Sequence, residues 1–258
     1  MPKTFPSKHL DVIVVGGGHA GCEAAGAAAR MGARTLLLTH DIARIGELSC
    51  NPAMGGLGKG HLTREVDALD GFLARASDDS AIQFRLLNAS KGPAVRGPRA
   101  QLDREEYRRN MRKILDGTSN LEICAAAVHD LYLVDGAVGG VVDSDGTIWQ
   151  ARAVVLTSGT FLGGMIHLGT RRIPAGRAGD PSSMALARKL RKIGFPVARL
   201  KTGTPPRLDG RSINFDALQR QDGDSTPTYL SFLTNKTNLP QLPCHITATS
   251  PATHTFSR

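Results

Sequence analysis

The sequence lacks three features, each of which would point to a different class of protein. Its four cysteines, Cys22, Cys50, Cys124 and Cys244, show no CxxC spacing, so they predict no metal site, no disulfide scaffold and no dithiol reductase. No apolar run approaches the roughly 20 residues that a membrane helix needs. Residues 1–10 contain no apolar signal core, so we expect a protein of the cytoplasm or an equivalent reducing compartment.

Positive charge, in contrast, is in excess. Lys and Arg number 32 against 23 Asp and Glu, which gives a formal net charge of +9 and a pI near 9.8. Basic residues concentrate at residues 85–113 and again at 171–211. Such an excess favours partners that carry phosphate, although a basic surface without a partner would have the same composition.

The first 40 residues contain one complete βαβ pattern. Residues 11–15 are a β-branched run, residues 19–31 are Ala-rich and predict a helix, and residues 35–39 form a second apolar strand. Gly32 suits the end of the helix. Together they make a unit of the ~30-residue length that this motif requires.

Three glycines between the first strand and the helix have the GxGxxG spacing of a dinucleotide-binding turn. Gly16 permits the tight turn, Gly18 lets the backbone approach a pyrophosphate, and Gly21 lets the helix pack close to the sheet. The helix N-terminus then offers free N–H groups to the phosphates. The acid expected on the ribose would fall near Thr39, which is not acidic, and Asp41 is the nearest substitute.

The rest of the chain predicts further elements of an α/β fold. Leu62, Val66 and Leu69 recur at helical spacing, and Asp103 with Glu106 resembles the capping box of another helix. A third helix is predicted to start at Asp180 and Pro181, and strands are predicted at residues 121–124, 128–134, 137–142, 147–149 and 153–157.

The strand at residues 153–157 is predicted to lie at the buried centre of a parallel sheet, because it is apolar throughout. It runs into a turn of small residues, Ser158, Gly159 and Thr160. This order is like the second half of a flavin-binding Rossmann domain, in which such a turn passes beside the cofactor. A plain strand and turn would explain it equally well.

Several long strings resemble one family, the tRNA uridine 5-carboxymethylaminomethyl modification enzymes called MnmG or GidA, with their mitochondrial counterpart. The resemblance covers nearly the whole chain to about residue 214 and continues more loosely to residue 245. In that family the position of Thr39 is not acidic either. The strings that carry the resemblance are GGGHAGCEAA (16–25), LLLTH (36–40), SCNPAMGGLGKGH (49–61), REVDALDG (64–71), IQFRLLNASKGPAVRGPRAQLDR (82–104), AGRAGDP (175–181) and LKTGTPPR (200–207).

This resemblance implies a reaction, its cofactors and its partners. FAD is reduced by NADH, and a one-carbon unit passes from methylenetetrahydrofolate to C5 of the wobble uridine of certain tRNAs, with glycine or ammonia as the amine. An MnmE-type GTPase is the implied partner, in a heterotetramer with a homodimer of this protein. The implied compartment is the bacterial cytoplasm, or the mitochondrial matrix if the protein is eukaryotic.

The resemblance also implies a domain organisation. Residues 1–200 would form a glutathione-reductase-like Rossmann domain for FAD whose C-terminal half is missing. Residues 201–258 would begin an inserted NAD-binding domain, with Lys201 and Arg207 flanking the boundary string. Since the chain is less than half of a family member, a fragment, a truncated product and an isoform all stay open.

The same resemblance assigns the FAD contacts. Val128 would meet the adenine side of FAD through its backbone, and Ser183 would be another contact. A core strand valine and a locally satisfied serine of a helix first turn are the alternatives. The residues assigned to the diphosphate are Gly16, Gly17, Gly18, His19, Ala20 and Gly21.

Cys50 is the candidate catalytic residue, because its Gly- and Pro-rich loop is expected beside the reactive side of the flavin. A thiolate there could attack C6 of a uracil ring and make C5 nucleophilic, whereas the alternative is a small structural cysteine. Cys22 and Cys124 are predicted to be core, and Cys244 has no assignment.

Five basic residues have two interpretations each. Lys59 and His61 could contact flavin or substrate, or could be solvated or cap a helix. Lys91, Arg96 and Arg99 belong to a basic segment that could contact tRNA phosphate or remain solvated.

Two other functions compete with the modification enzyme. The related folate-dependent tRNA uracil methyltransferase shares FAD and folate, but SCNPAMGGLGKGH is not part of its pattern. A non-catalytic FAD-binding fragment would lack activity because half of the FAD site is absent. A flavin spectrum that responds to NADH distinguishes an enzyme from an inert fragment.

Overall fold

The computed structural model describes residues 10–201, 203 and 205–256. Thr202 and Thr204 of the LKTGTPPR string lie outside the described residues, as do residues 1–9 and the last two residues of the second predicted domain. The described α-helices are α1 (His19–Arg30), α2 (Lys59–Ala68), α3 (Leu73–Asp79), α4 (Arg104–Asp116), α5 (Met184–Lys192) and α6 (Pro251–Phe256). The described strands are β1 (Leu10–Val15), β2 (Thr35–Thr39), β3 (Ala53–Gly55), β4 (Ala81–Leu87), β5 (Gly97–Leu102), β6 (Leu121–Ala125), β7 (Val128–Val134), β8 (Ala137–Asp143), β9 (Ile148–Leu156), β10 (Met165–Leu168), β11 (Arg171–Pro174), β12 (Gln219–Gln221) and β13 (Cys244–Ile246).

The main sheet has six strands in the order β6-β2-β1-β9-β8-β7. β1 pairs in parallel with β2 and β9, and β2 pairs in parallel with β6. β7, β8 and β9 form an antiparallel meander at the other side. This arrangement confirms the predicted α/β Rossmann-like class, and it places the carboxyl ends of β1, β2 and β9 at one edge of the sheet.

The two faces of the sheet pack against different helices, because successive side chains of a strand point in opposite directions. Val14 of β1 belongs to a core that also contains Tyr107 and Met111 of α4. Ile13 on the opposite face belongs to a second core with Leu186 of α5. Each of these apolar side chains is at most 1% exposed, and burial of such a side chain contributes about 1.5–3 kcal/mol.

The structure corrects the strand predictions in the second half of the sheet. Residues 147–149 and 153–157, predicted as two strands, belong to the one strand β9. β9 does lie beside β1 in the parallel part of the sheet, as expected. It is not buried throughout, however, since Ala153 is exposed and Val155 is 38% exposed. An apolar run predicts that a strand forms, but it does not predict whether that strand is buried. Burial depends on neighbouring elements that are distant in the sequence.

The helix at residues 59–68 is confirmed, but the apolar spacing marks the wrong face of it. Leu62 and Leu69 are 61% and 79% exposed. The buried residues of α2 are Gly60, Thr63 and Asp67, which face the layer of β3 and β5. α3 and the three-stranded sheet β3-β5-β4 have no counterpart in the prediction.

The capping residue of α4 is confirmed, and the reciprocal half of the predicted capping box is not formed. The carboxylate of Asp103 accepts from the backbone N–H groups of Glu105 and Glu106 at 2.9 and 3.0 Å. Glu106 pairs with Arg109, and the backbone N–H of Asp103 donates to Ser80. α5 begins at Met184, after the predicted start at Asp180.

Residues 219–246 pack against β4 and the helices before it. Gln83 donates its side-chain N–H to the carbonyl oxygens of Gln221 and Leu242 at 2.9 and 3.2 Å. The carboxylate of Asp78 accepts from the backbone N–H groups of Leu230 and Ser231 at 3.0 and 2.8 Å. The described part of this irregular segment is therefore built onto the same core as the first 200 residues.

A Leu230→Ala variant should show that this segment contributes to the stability of the fold. Leu230 is 0% exposed and belongs to the core of α4 and β1, so truncation leaves a cavity that costs about 2 kcal/mol or more in the free energy of unfolding. Urea denaturation measures the loss. Leu233→Ala is the matched control because Leu233 is 72% exposed, and its cost should stay within about 0.5 kcal/mol. Equal effects of the two variants would contradict the packing.

None of the described helices has both the length and the hydropathy needed to cross a bilayer.

Candidate functional site

A cleft opens at the carboxyl ends of β1, β2 and β9. It encloses about 940 Å³ of empty space, including the part that is open to solvent. In α/β sheets, ligands bind at this end of the strands, where loops leave the sheet. The cleft is lined by Val15, Gly16, Gly17, Gly18, Leu38, Thr39, His40, Asp41, Arg44, Glu47, Ser49, Ala126, Val128, Thr157, Ser158, Gly159, Thr160, Phe161, Arg177, Asp180, Ser183 and Leu186.

Two glycines of the turn are required by the packing of the protein itself. Gly16 has φ of +111°, and a Cβ there would lie 2.6 Å from the carbonyl oxygen of Thr157. A Cβ on Gly21 would lie 1.7 Å from the carbonyl oxygen of Gly16. Both distances are far below van der Waals contact, so these positions hold the close approach of β1, α1 and β9.

Gly18 is different, because among the described residues no atom beyond its two chain neighbours lies within 4 Å of a Cβ built there. Its backbone, with φ of −76° and ψ of −176°, is extended and open to any residue. Gly18 is exposed and lines the cleft. The described chain gives no reason for a glycine at this position, whereas close approach of a ligand to the backbone would give one.

The N-terminus of α1 opens into the same cleft. Gly18 is its N-cap, no side chain caps the helix, and its first turn contains no acidic residue. The N–H groups of this turn and the positive end of the helix dipole are therefore available to an anion.

Arg177 joins two walls of the cleft. Its Nε donates to Asp180 Oδ2 at 2.7 Å, and its Nη1 donates to Ser49 Oγ at 3.0 Å. The guanidinium also lies 4.9 Å from the centre of the Phe161 ring. Arg44 approaches the same Asp180 carboxylate at 3.6 Å and the Asp41 carboxylate at 3.8 Å, so the two arginines of the cleft lining are paired with two of its acids.

The predicted site residues fall into two groups. Gly16, Gly17, Gly18, Val128 and Ser183 line the cleft, together with the predicted turn at residues 158–160. The cleft lining does not include His19, Ala20, Gly21 or Cys50.

Val128 and Ser183 each have features of an FAD contact and features of an ordinary structural residue. Val128 is 2% exposed and belongs to the second core, as a strand valine should, while it also borders the cleft. Ser183 is the N-cap residue of α5, but its side chain forms no cap hydrogen bond. Its backbone N–H donates to Phe161 at 2.9 Å. A hydroxyl that does not cap its helix is free to serve a ligand.

His19 faces the protein interior. Its ring lies 5.7 Å from the ring of Tyr107 in an edge-on arrangement. Within the described part of the chain, neither its Nε2 nor the Tyr107 hydroxyl has a hydrogen-bond partner. Burial, with a smaller contribution from Lys59, lowers the pKa of His19 to about 4. The imidazole is therefore neutral near pH 7 and lies outside the cleft lining, so we assign the contact with an anion in the cleft to the backbone N–H of His19.

Cys50 lies directly after Ser49, which borders the cleft, and it is exposed. Its Sγ is 3.7 Å from the carbonyl oxygen of Gly203. Burial and the charge of Arg99 lower the pKa of nearby Lys59, while the Cys50 thiol opposes this shift. An exposed sulfur beside a lysine and the mouth of the cleft can be reached by a substrate.

The other cysteines largely follow the prediction. Cys22 is 0% exposed, and burial raises the pKa of its thiol to about 12, so it is inert core. Cys124 is partly exposed and packs at the edge of the second core, and burial raises its pKa as well. Cys244 contacts Gln83 Oε1 at 3.2 Å.

Lys91 and Arg96 lie on the exposed tip of the β4–β5 hairpin, where Arg96 donates to the carbonyl oxygen of Lys91. Arg99 sits further down the hairpin, close enough to influence Lys59. The Nε2 atom of His61 is buried and has no partner in the described residues.

Sequence reasoning missed several residues of the cleft. Arg44, Thr157, Phe161, Arg177 and Asp180 all line it. For Arg177 and Asp180 a signal existed, since an arginine and an aspartate three residues apart stand in the quoted AGRAGDP string. Phe161 carried no signal, because a single aromatic residue after a strand is most often core.

Comparisons with known proteins agree with this geometry. Residues 11–258 match the family described as glucose inhibited division protein A. Two crystal forms of GidA from Aquifex aeolicus are similar to the chain, one at 45% identity with a TM-score of 0.91 and the other at 46% with 0.90. They cover 97% and 96% of this chain, which spans only 43% and 42% of theirs. A GidA-related protein from Thermus thermophilus shares the fold at 24% identity and a TM-score of 0.53, covering 72% of this chain and 69% of its own.

Proposed function

Since this chain belongs to the glucose inhibited division protein A family and forms its N-terminal portion, we propose that it binds FAD as part of a tRNA-modifying flavoenzyme. The family membership predicted from the sequence strings is confirmed by this match. The chain spans about 43% of the length of the Aquifex protein, so the reaction, substrates and partners of the whole enzyme are proposals for this chain.

One observation carries the proposal. Gly18 lines the cleft at the open N-terminus of α1, and the described chain leaves free the space that a side chain there would fill. A diphosphate in this space could accept hydrogen bonds from the first-turn N–H groups of α1 and lie at the positive end of its dipole. The donors, the helix dipole and the free space all fit the diphosphate of a dinucleotide.

The proposed contacts follow the two ends of the cleft. The diphosphate would be held by Gly16, Gly17, Gly18, His19, Ala20 and Gly21. Those of them that do not line the cleft would act through their backbone or by shaping the turn. The end lined by Thr39, Val128 and Ser183 would hold the adenosine. The other end, at Ser49, would lead the flavin ring toward Cys50. When bound, FAD supplies two-electron redox chemistry, with NADH as the proposed reductant.

The proposed substrate is the wobble uridine of certain tRNAs, with methylenetetrahydrofolate as the carbon donor. Cys50 is the proposed nucleophile, whose Sγ would form a bond to C6 of the uracil ring. The exposure of Cys50 and its place beside the cleft support this role. The formal net charge of +9 supports a polyanionic partner.

The remaining proposals rest on the family resemblance. They are an MnmE-type GTPase partner, a homodimer that joins it in a heterotetramer, and a cytoplasmic or mitochondrial matrix location. The division into an FAD domain at residues 1–200 and the start of an inserted NAD-binding domain at residues 201–258 is proposed on the same ground.

The test of the proposed function is a spectroscopic titration of the purified chain with FAD. We expect the visible absorption of bound flavin, which should bleach when NADH is added without oxygen. A Cys50→Ser variant should retain the flavin spectrum, because Cys50 lies outside the cleft lining. A chain that stays colourless at saturating FAD would refute the proposal. A chain that binds FAD without responding to NADH would support an inert flavin-binding fragment instead.

A further inference from the structure

Two arginines from distant parts of the chain donate to one backbone oxygen at Cys50. Arg104 Nη2 lies 2.7 Å from the Cys50 carbonyl oxygen, and Arg207 Nη2 lies 2.5 Å from it. The same Arg207 nitrogen is 3.4 Å from the carbonyl oxygen of Ser49. Two cations are thus held together by a neutral acceptor.

Neither arginine has an anionic partner among the residues that the structure describes. Arg177, their neighbour at Ser49, is paired with Asp180, whereas no ion pair of the described chain involves Arg104 or Arg207. A guanidinium has five N–H donors, and the hydrogen bonds to Ser49 and Cys50 use one nitrogen of each arginine. Two unneutralised guanidiniums at one point repel each other, and an anion between them would remove that repulsion.

Other basic groups lie near this point. Lys59 lies near the Cys50 thiol and near Arg99. Arg104 comes from the basic stretch at residues 85–113, and Arg207 comes from the one at 171–211. The two basic stretches of the sequence therefore converge beside one exposed thiol.

We propose that Arg104 and Arg207 form a phosphate-binding site beside Cys50, which holds a phosphodiester of the RNA whose base reaches that thiol. The inference rests on the proposed function, and it names how the substrate is held. A phosphodiester suits the site because a guanidinium binds phosphate oxygens in a bidentate fork. The overall charge of +9 favours a polyanion over a single carboxylate.

Such a contact positions the RNA and does not read its sequence. The site is also separate from the proposed diphosphate site, because neither arginine lines the cleft. Loss of the two arginines should therefore weaken RNA binding without changing FAD binding.

The experiment compares the FAD-loaded chain with an Arg104→Gln/Arg207→Gln variant, both with Cys124→Ser and Cys244→Ser so that Cys50 is the reactive thiol. The probe is a fluorescent anticodon stem-loop RNA, titrated by anisotropy at several salt concentrations. We expect the variant to bind at least about tenfold more weakly and to reduce the slope of log affinity against log salt by about 1 to 2. RNA should slow the alkylation of Cys50 in the parent protein and not in the variant.

Arg109→Gln is the matched control, since Arg109 is also on α4 and its side chain is 66% exposed. It should leave the affinity and the protection of Cys50 unchanged. If the double variant does not fold, Arg207→Gln alone replaces it, because Arg207 is exposed.

Three results would overturn the inference. The first is unchanged RNA affinity and protection in the double variant, which would leave the arginines as anchors of the Cys50 loop. The second is a parent protein that binds FAD but no RNA. The third is protection of Cys50 by methylenetetrahydrofolate and not by RNA, which would assign the arginines to a carboxylate. Failure to bind FAD at all would instead contradict the proposed function.

Discussion

A Gly18→Ala variant is expected to fold as stably as the wild type and to lose most of its affinity for FAD. Apart from its chain neighbours, a methyl group at this position meets no atom of the described residues within 4 Å, and the backbone conformation is allowed for alanine. It would stand in the space proposed for the diphosphate. Overpacking by one methyl group costs about 1–3 kcal/mol, which corresponds to a loss of roughly 5- to 150-fold in affinity.

The Gly21→Ala variant has the same added methyl group and should fail for another reason. Its Cβ would lie 1.7 Å from the Gly16 carbonyl oxygen, a backbone atom that cannot rotate away. The turn and α1 would have to separate, so we expect a loss of about 4 kcal/mol or more in the free energy of unfolding. This variant should therefore lose both stability and flavin.

Two measurements distinguish the variants: urea denaturation for stability and fluorescence titration for FAD affinity. The expected pattern is wild-type stability with weak binding for Gly18→Ala, and low stability for Gly21→Ala. If Gly18→Ala bound FAD like the wild type, the space in front of α1 would not be the diphosphate site. If Gly21→Ala were fully stable, the described contact between the turn and the helix would be wrong.

This contrast also shows how much of the site the sequence could predict. The GxGxxG spacing predicts the strand, the turn and the helix, because a dinucleotide-binding unit has a glycine at each of these three positions. It does not show which glycine is required by packing and which by a ligand. That difference depends on Gly16 lying against Thr157, a contact between residues about 140 positions apart.

The contacts that two arginines make with the loop at residues 49–50 were beyond prediction for a related reason. Arg177 reaches Ser49 across 128 positions of the sequence, and Arg207 reaches Cys50 across 157. Composition showed the basic stretches, but the pairing of their members with particular loops depends on the folded chain. The error on α2 has the same origin, because Thr63 and Asp67 are buried by β3 and β5 and by residues near 232.

The partly buried His19 should make the stability of the chain depend on pH in a way that a His19→Phe variant removes. The folded-state pKa of His19 is about 4, whereas an unfolded histidine titrates near 6.5. As the pH falls from about 6.5 to 4, the unfolded chain binds a proton that the folded chain excludes, so stability is lost. The loss approaches about 3 kcal/mol at pH 4. Phenylalanine keeps the edge contact with Tyr107 and removes the titration.

Asp78 changes the free energy of unfolding in the opposite direction over nearly the same pH range. Burial, which outweighs the N–H groups of Ser231 and Leu230, raises its pKa from 3.8 to about 6. The folded chain therefore holds a proton that the unfolded chain releases, and stability is lost as the pH rises from about 4 to 6. In the wild type these two contributions oppose each other and nearly cancel between pH 4 and 6.

The His19→Phe variant should expose the contribution of Asp78. Between pH 4 and 6 its free energy of unfolding should fall with rising pH by about 2 kcal/mol more than that of the wild type, because the opposing contribution of His19 is gone. Urea denaturation at half-unit pH steps measures both profiles. Any change in packing energy from the larger phenylalanine ring is the same at every pH. Such a constant shifts the whole profile and does not affect the comparison of its pH dependence with that of the wild type. Parallel profiles would mean that the pKa of His19 is the same in the folded and the unfolded chain, which would contradict the desolvation of its ring.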